Sequence, residues 1–256
     1  MNVTTKLCFM VTTTNTREES LLWNVKHLIK YINIPFSIYI YNDGAPPLKS
    51  DISALIEQSN RKDIYFEVLN DSREISQEKI GCGGGRFQLF ERVKFIHEIV
   101  VSLDDDMQIT EGWYEKMIEA INVYPNHSFF SCVVTGPDNV VQRAGSGMFI
   151  KDGILYRSEL ASTNEKYNIA EWGPFGCLVL CRKALKPEIK VPDLYVREDD
   201  AFYLEMKKFG INETIVVNSA VAIHRPIPTL ESNLRIPEKM KEAEQYFREK
   251  YGLILH

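Results

Sequence analysis

The first 110 residues alternate short apolar runs with helix-length amphipathic stretches. Strand-like runs such as "KLCFMVTTT" and "FSIYIYNDG" are followed by the helical patterns "EESLLWNVKHLIKYI" and "DISALIEQS". This alternation is typical of βα units, in which parallel strands lie side by side and helices pack on the faces of the sheet. The sequence therefore predicts an α/β fold with a mainly parallel central sheet flanked by helices.

The second half of the chain has a different pattern. The runs "HSFFSCVVTG", "VVQRAGSGMFI" and "GILYRSEL" are shorter and are separated by glycines, which predicts a smaller antiparallel part. The tail "IPEKMKEAEQYFREKYG" is typical of a helix with Pro237 near its start and Gly252 at its end. A chain of 256 residues, 45% of them hydrophobic, is long enough for one large domain.

Charge, hydropathy and cysteine usage argue against several classes of protein. The net charge is -5, so strong general binding to nucleic acid is not expected. No segment approaches the roughly 20 apolar residues of a membrane span, and "MNVTTKLCFMVTTT" lacks a secretory core; we expect a cytoplasmic protein. The five scattered cysteines predict reduced thiols. Cys177 and Cys181 have no second pair nearby that would complete a zinc site.

Three consecutive carboxylates follow the apolar run in "EIVVSLDDDMQIT". These are Asp104, Asp105 and Asp106. Ligands of open α/β sheets bind outside the carboxyl ends of strands, and hard oxygen ligands suit Mn²⁺ or Mg²⁺. Solvated turns and helix starts also favour acidic side chains. The triplet therefore indicates either a metal site or an exposed turn.

Two later motifs carry further candidate groups. "YVREDDAFYLEMKKFG" places Glu198, Asp199 and Asp200 at the start of a predicted helix. There they either interact with the helix dipole or supply a rigidly held general base. "SAVAIHRPIPT" ends an apolar run with His224, which is either a structural residue or a ligand that converges with the triplet.

Taken in order, these motifs resemble an inverting GT-A glycosyltransferase of the large family-2-like group. The resemblance rests on the βα first half, "SLDDDM", the "ED" helix, His224 and "YFREKYG", and runs from about Lys6 to Gly252. It implies the GT-A (nucleotide-diphospho-sugar transferase) fold in a single domain of residues 1–256. Residues 1–110 would be the nucleotide-sugar-binding half, and 111–256 the acceptor-binding half with the C-terminal helix.

The resemblance also implies roles for individual residues. Asp199 matches the catalytic base, and Asp200 remains a second candidate because Ala201 stands where many relatives carry another Asp. Asp104, Asp106 and His224 match the ligands of a Mn²⁺ or Mg²⁺ ion. The nucleotide-sugar donor, expected to be a UDP-sugar, is implied to contact Thr12, Thr14, Arg17, Asp43, Arg86, Asp104 and Asp105.

The acceptor side is implied by "EWGPFGCLVLCRKAL", with Trp172, Gly173 and Gly176 as candidates. Trp172 either stacks on a sugar ring or is a core residue.

Two donor-side motifs also have simpler interpretations. Asp43 with the following glycine is also typical of an ordinary turn, and the glycines of "GCGGGR" are also typical of a flexible connection.

Rival functions remain open at this stage. A sugar-nucleotide nucleotidyltransferase needs a glycine-rich loop after its first strand, and "TTTNTREES" contains no glycine. A non-catalytic nucleotide-sugar or carbohydrate-binding module is expected to lose the base or the metal ligands. The sequence leaves undecided the donor sugar, the oligomeric state and the role of about 137–166. It also leaves open whether the acceptor is a saccharide, a glycolipid, a peptide or protein, or a modified nucleobase.

Overall fold

The computed structural model describes residues 5–44, 47–48, 51–70, 80–159, 163–226 and 237–256. Within them the helices are α1 (Glu18–Tyr31), α2 (Ile52–Gln58), α3 (Gly81–Val93), α4 (Trp113–Val123), α5 (Glu198–Lys207) and α6 (Pro237–Tyr251). The strands are β1 (Leu7–Thr13), β2 (Phe36–Asn42), β3 (Ile64–Asn70), β4 (Ile99–Asp104), β5 (Met107–Ile109), β6 (Phe129–Thr135), β7 (Val141–Arg143), β8 (Ser146–Lys151), β9 (Ile154–Glu159), β10 (Tyr167–Ala170), β11 (Cys177–Cys181), β12 (Thr214–His224) and β13 (Ile254–Leu255).

The main sheet has the strand order β10-β12-β6-β11-β4-β1-β2-β3, with β5 beside β12 and β7 beside β6. The strands of the first half, β1 to β4, pair in parallel. In the second half β6 and β12 are parallel, while β11 runs antiparallel between β4 and β6. The α/β prediction is confirmed, and antiparallel pairing enters in the second half as expected.

Alternate side chains of β1 enter two separate cores, because successive residues of a strand point to opposite faces. Phe9 and Val11 pack with α1, α2 and α4 on one face of the sheet. Cys8 and Met10 pack with α3, α5 and α6 on the other. The helices therefore cover both faces, which suits the uniformly apolar β1.

A second, three-stranded sheet of order β13-β9-β8 adjoins the core that contains α5 and α6. The run "VVQRAGSGMFI", which the sequence analysis treated as one strand, divides into β7 and β8 around Gly145. Gly145 has a φ of +85°, a left-handed conformation that glycine adopts readily. This break lets the chain leave the main sheet after β7 and enter the small sheet as β8.

All five cysteines lie among the described residues, and none of them forms a disulfide there. Cys132 and Cys177 lie in the core with their sulfurs 3.2 Å apart. Cys181 is also buried, in the same strand as Cys177. In the described part of the chain, no helix is both long enough and apolar enough to span a membrane.

Candidate active site

A cleft of about 790 Å³ opens where β1, β2 and β4 end. The three strands are parallel neighbours, and Thr12 of β1 lies opposite Asp104 of β4, so their carboxyl ends form one edge of the sheet. Ligands of open α/β sheets bind at such an edge. The cleft brings together most of the candidate residues from the sequence, namely Thr12, Thr14, Arg17, Asp43, Arg86, Asp104, Asp105, Asp106, Gly176, Asp199 and His224.

The acidic triplet forms the tight connection between β4 and β5. Asn24 of α1 fixes both ends of this turn, because its Nδ2 donates to the carbonyl of Asp104 at 3.0 Å and to that of Met107 at 2.7 Å. Asn24 is buried. Sequence reasoning missed it, since a single polar residue inside a helical pattern carries no signal for a turn eighty residues away.

Asp105 points inward and ties the turn to β1. Its Oδ2 accepts a hydrogen bond from Thr13 Oγ1 at 2.7 Å, and Arg17 Nε lies 3.0 Å from each of its oxygens. Burial raises the pKa of Asp105 to about 7, although the charge of Arg17 opposes the shift. Asp105 lines the cleft but is only 3% exposed, so its carboxylate is occupied by protein groups.

Asp106 faces His224 across the end of β12. Its Oδ2 lies 2.5 Å from Arg17 Nη2 and 3.5 Å from His224 Nε2. Burial works against ionisation of Asp106, but His224 and Arg17 outweigh it and hold its pKa below the ordinary value. The hydrogen bond with Asp106 in turn raises the pKa of His224.

Gln142 of β7 orients the imidazole. Its Oε1 lies 2.9 Å from His224 Nδ1 and accepts a hydrogen bond from the Nδ1–H group. Nε2 faces Asp106 and pairs with its carboxylate when the imidazole is protonated. Metal-binding histidines commonly have such a partner on the other ring nitrogen. Gln142 lies in the segment 137–166, to which the sequence assigned no role, and two other side chains of that segment, Arg143 and Arg157, line the cleft.

The carboxylates and the imidazole fit a divalent cation by their chemistry. Asp106 and His224 are adjacent, while Asp104 is paired with Arg86. Gly176 leaves room for Asp104, because a Cβ at Gly176 would lie 2.4 Å from Asp104 Oδ2. In this arrangement no three His, Cys, Asp or Glu side chains of the described residues meet as a metal-binding group.

The glycines of "GCGGGR" belong to the first turns of α3 and are not a flexible connection. A Cβ on Gly83 would lie 1.9 Å from the carbonyl oxygen of Leu194, and one on Gly85 would lie 2.9 Å from the Thr12 side chain. These glycines allow α3 to approach both the end of β1 and the segment that precedes α5. This close approach carries Arg86 into the cleft.

Arg86 joins the triplet to α5. Its Nη2 donates to Asp104 and its Nη1 to Glu198, and its guanidinium lies 5.1 Å from the ring centroid of Phe175. Arg86 is 3% exposed. Burial raises the pKa of Glu198 to about 7, an effect that the Arg86 charge opposes. Arg86 therefore lines the cleft as a bridge between two carboxylates.

Asp43 holds the start of α3. Its two carboxylate oxygens accept hydrogen bonds from the backbone N–H groups of Ile80, at 3.1 Å, and Gly81, at 2.8 Å. The side chain is buried at the cleft wall. Nearby, Thr12 is nearly buried and Thr14 Oγ1 lies 2.8 Å from Thr16 Oγ1.

Asp199 and Asp200 have opposite environments at the start of α5. Asp199 lines the cleft, and its side chain is 19% exposed; the Asp200 side chain is 1% exposed and does not line the cleft. Both carboxylates accept hydrogen bonds from Arg157 of β9. Sequence reasoning missed Arg157, because it lies in a short strand without a recognisable motif.

Trp172 is a core residue in this structure. It is 2% exposed, and the Arg157 guanidinium lies over its ring at 4.2 Å from the centroid. The implied stacking of a sugar on Trp172 is therefore corrected: its ring is covered by protein. Gly173 packs against Ser131, whose Cβ would lie 3.1 Å from an added Cβ. Of the three acceptor-side candidates, only Gly176 lines the cleft.

No protein-family model matches the chain, and no curated protein sequence is similar to it. Solved structures are similar. TarS from S. aureus (residues 1–349, with UDP-GlcNAc) has a TM-score of 0.64 and 17% identity, over 96% of this chain and 66% of that chain. GalNAc-T7 with UDP, GalNAc and Mn²⁺ has a TM-score of 0.64 and 12% identity, over 88% of this chain and 44% of that chain.

The mannosyltransferase PcManGT from Pyrobaculum calidifontis, with GDP-Man and Mn²⁺, has a TM-score of 0.58 and 12% identity, over 95% of this chain and 63% of that chain. This chain thus spans less than two thirds of the length of each of these three proteins. At such identities the similarity is one of fold. The chain has the GT-A glycosyltransferase fold, as the sequence motifs predict.

Proposed function

We propose that this protein is a metal-dependent, inverting glycosyltransferase that moves a sugar from a nucleotide-sugar donor, most simply a UDP-sugar, to an acceptor nucleophile. One observation carries the proposal. Asp106, His224 and Asp199, which come from three distant segments, line a single cleft at the carboxyl edge of a GT-A sheet. The three similar structures contain UDP-GlcNAc, UDP with GalNAc and Mn²⁺, or GDP-Man with Mn²⁺.

The residues around Asp106 suit the leaving side of the reaction. Departure of a nucleoside diphosphate leaves negative charge, which a divalent cation held by Asp106 and His224 would neutralise when bound. In the structure, Arg17 forms ion pairs with Asp105 and Asp106. Its guanidinium therefore lies beside the expected position of the diphosphate, whose oxygens an arginine binds well.

Asp199 suits the attacking side. The acceptor oxygen forms a bond to the anomeric carbon, and the proton of the acceptor passes to the Asp199 carboxylate. At the same time the bond between the anomeric carbon and the diphosphate oxygen breaks, and the electron pair leaves with the diphosphate. One base and one displacement invert the anomeric configuration, and no covalent sugar–enzyme intermediate forms. Glu198 and Asp200, which are buried in ion pairs, are poorly placed for this role.

A thermal-shift measurement tests donor binding without knowledge of the acceptor. UDP-GlcNAc, UDP-GalNAc and GDP-Man are each added with and without Mn²⁺. A ligand that binds the native state stabilises it by about 2.7 kcal/mol at a hundredfold excess over its Kd. We expect a rise in melting temperature with at least one donor, and only when Mn²⁺ is present. No rise with any donor would contradict the proposal.

The two rival functions predict different products. A nucleotidyltransferase would release pyrophosphate when it is given a nucleoside triphosphate and a sugar phosphate. A non-catalytic module would bind a nucleotide sugar without releasing the nucleotide. Asp199 at the cleft wall favours the transferase over the module. Nucleotide release and pyrophosphate release, both measured beside the thermal shift, separate the three.

A further inference from the structure

The two carboxylate oxygens of Asp199 have different surroundings. Oδ1 accepts a hydrogen bond from Arg157 Nη2 at 2.8 Å and another from the backbone N–H of Asp200 at 2.9 Å. Among the described residues, none donates a hydrogen bond to Oδ2. Because Asp199 lines the cleft, the carboxylate is anchored through one oxygen and keeps the other for a ligand.

Arg157 is itself held on several sides. Its Nε donates to Asp200 Oδ1, and its planar guanidinium lies over the buried ring of Trp172, 4.2 Å from the centroid. The Asp200 carboxylate is further fixed by Arg197 Nη1 at 3.3 Å. Separate nitrogens of one rigid guanidinium therefore reach two carboxylates, a geometry that the single ammonium group of lysine does not reproduce.

Charge at this place is balanced among buried or half-buried side chains. Asp199 and Asp200 face Arg157 of β9 and Arg197 at the start of α5. Arg86 of α3, also nearby, pairs with Glu198 and Asp104. Removal of Arg157 would leave Asp200 with one arginine partner and Asp199 with a backbone N–H alone.

We infer that Arg157 is a positioning residue for the base. It fixes the Asp199 side chain so that Oδ2 faces the acceptor nucleophile, while Asp200 and Trp172 hold Arg157 in place. Arg157 acts through Asp199 and takes no proton itself. The inference rests on the proposed function only for the reaction that Asp199 assists; the orientation of the carboxylate is a property of the protein alone.

Release of UDP from UDP-GlcNAc in the presence of Mn²⁺, with water as the acceptor, measures the kinetic effect. Misplacement of a reacting group by about 1 Å costs on the order of 10²-fold in rate. We therefore expect Arg157→Met to lower kcat by a factor on the order of 10², with little change in KM for UDP-GlcNAc. Arg157→Lys restores the charge but should recover only a small part of the rate.

Lys151→Met is the matched control, because Lys151 is an exposed cation of the same small sheet; its kcat should equal that of the unaltered protein. Full activity of Arg157→Met would overturn the inference. So would a rise in KM with unchanged kcat, since that pattern indicates a direct role in donor binding.

A crystal structure of Arg157→Met provides a readout that is independent of activity. We expect the Asp199 carboxylate to leave its present rotamer or to occupy more than one, with α5 unchanged. An Asp199 carboxylate in its present orientation would overturn the inference. If the unaltered protein releases no nucleotide from UDP-GlcNAc, UDP-GalNAc or GDP-Man while Asp199 moves in the variant, the positioning role stands and the proposed reaction fails.

Discussion

At the scale of single residues, Asp106 is an ion-pair partner in the structure and a metal ligand in the proposed function. It contacts Arg17 and His224, and the proposed function makes it a metal ligand. We expect Asp106→Ala to remove the Mn²⁺-dependent part of the thermal shift given by a UDP-sugar. The variant should remain folded, because Arg17 keeps its ion pair with Asp105.

Glu115→Ala is the control for this experiment, since Glu115 is an exposed carboxylate of α4. It should keep the full Mn²⁺-dependent shift. A UDP-sugar that still stabilises Asp106→Ala only when Mn²⁺ is present would remove Asp106 from the metal site.

The base assignment is also decided by single residues. Adjacent residues of a helix point about 100° apart, and here Asp199 lines the cleft while Asp200 lies between Arg157 and Arg197. We expect Asp199→Asn to lower turnover by a factor on the order of 10² or more, with donor affinity nearly unchanged. Asp200→Asn should be milder. An inactive Asp200→Asn together with an active Asp199→Asn would transfer the role of base to Asp200.

At the scale of elements, the first turns of α3 are shaped by close packing. A Cβ on Gly83 would lie 1.9 Å from the Leu194 carbonyl oxygen, which is backbone and does not move aside easily. Overpacking of this kind costs roughly 1–3 kcal/mol. We expect Gly83→Ala to lower the free energy of unfolding in urea by about that amount and to weaken donor binding, because α3 must move away from the cleft.

Gln88→Ala on the exposed face of the same helix is the control. It should change the free energy of unfolding by less than about 0.5 kcal/mol, as is usual for surface substitutions. An unchanged stability of Gly83→Ala would show that α3 and the segment before α5 do not pack as closely as described.

Elements whose sequences carry a regular pattern could be predicted, and contacts between distant segments could not. The strands and helices of the first half follow from local periodicity, and the run "DISALIEQS" consists of α2 and its two capping residues. Gln142 and His224 are 82 residues apart, and Arg157 and Asp199 are 42 apart. Nothing local in the sequence indicates these pairs, since each depends on how β7 and β9 pack beside the cleft.

The same limit applies to "GCGGGR" and to Trp172, for each of which the sequence left two interpretations open. The glycines of "GCGGGR" are explained by neighbours that come from β1 and from the segment before α5. Trp172 is buried in a core that also contains Tyr203, and Arg157 covers its ring. Residue type alone allowed both interpretations of each motif, and tertiary contacts decided between them.

At the scale of the whole molecule, Arg86 connects the half of the chain that carries the acidic triplet to the half that carries the base. It is buried between Asp104 and Glu198. Removal of one partner from a buried ion pair typically costs 3–5 kcal/mol, because it leaves an uncompensated buried charge. We expect Arg86→Met to lower the free energy of unfolding by roughly this amount.

Arg92→Met is the control within the same helix. Arg92 pairs with Glu67 at the surface, and its side chain is 54% exposed; exposed pairs contribute about 1 kcal/mol or less. Equal losses in the two variants would contradict the bridging role of Arg86.

We infer that one cleft of this GT-A fold performs inverting sugar transfer with Asp199 as the base. ¹H NMR of the sugar released from an α-linked donor, UDP-GlcNAc, in the presence of Mn²⁺ shows whether the configuration is inverted. We expect β-GlcNAc to appear first, before the anomers equilibrate, and Asp199→Asn to abolish its formation. Initial release of α-GlcNAc, or equal release by Asp199→Asn, would contradict this inference.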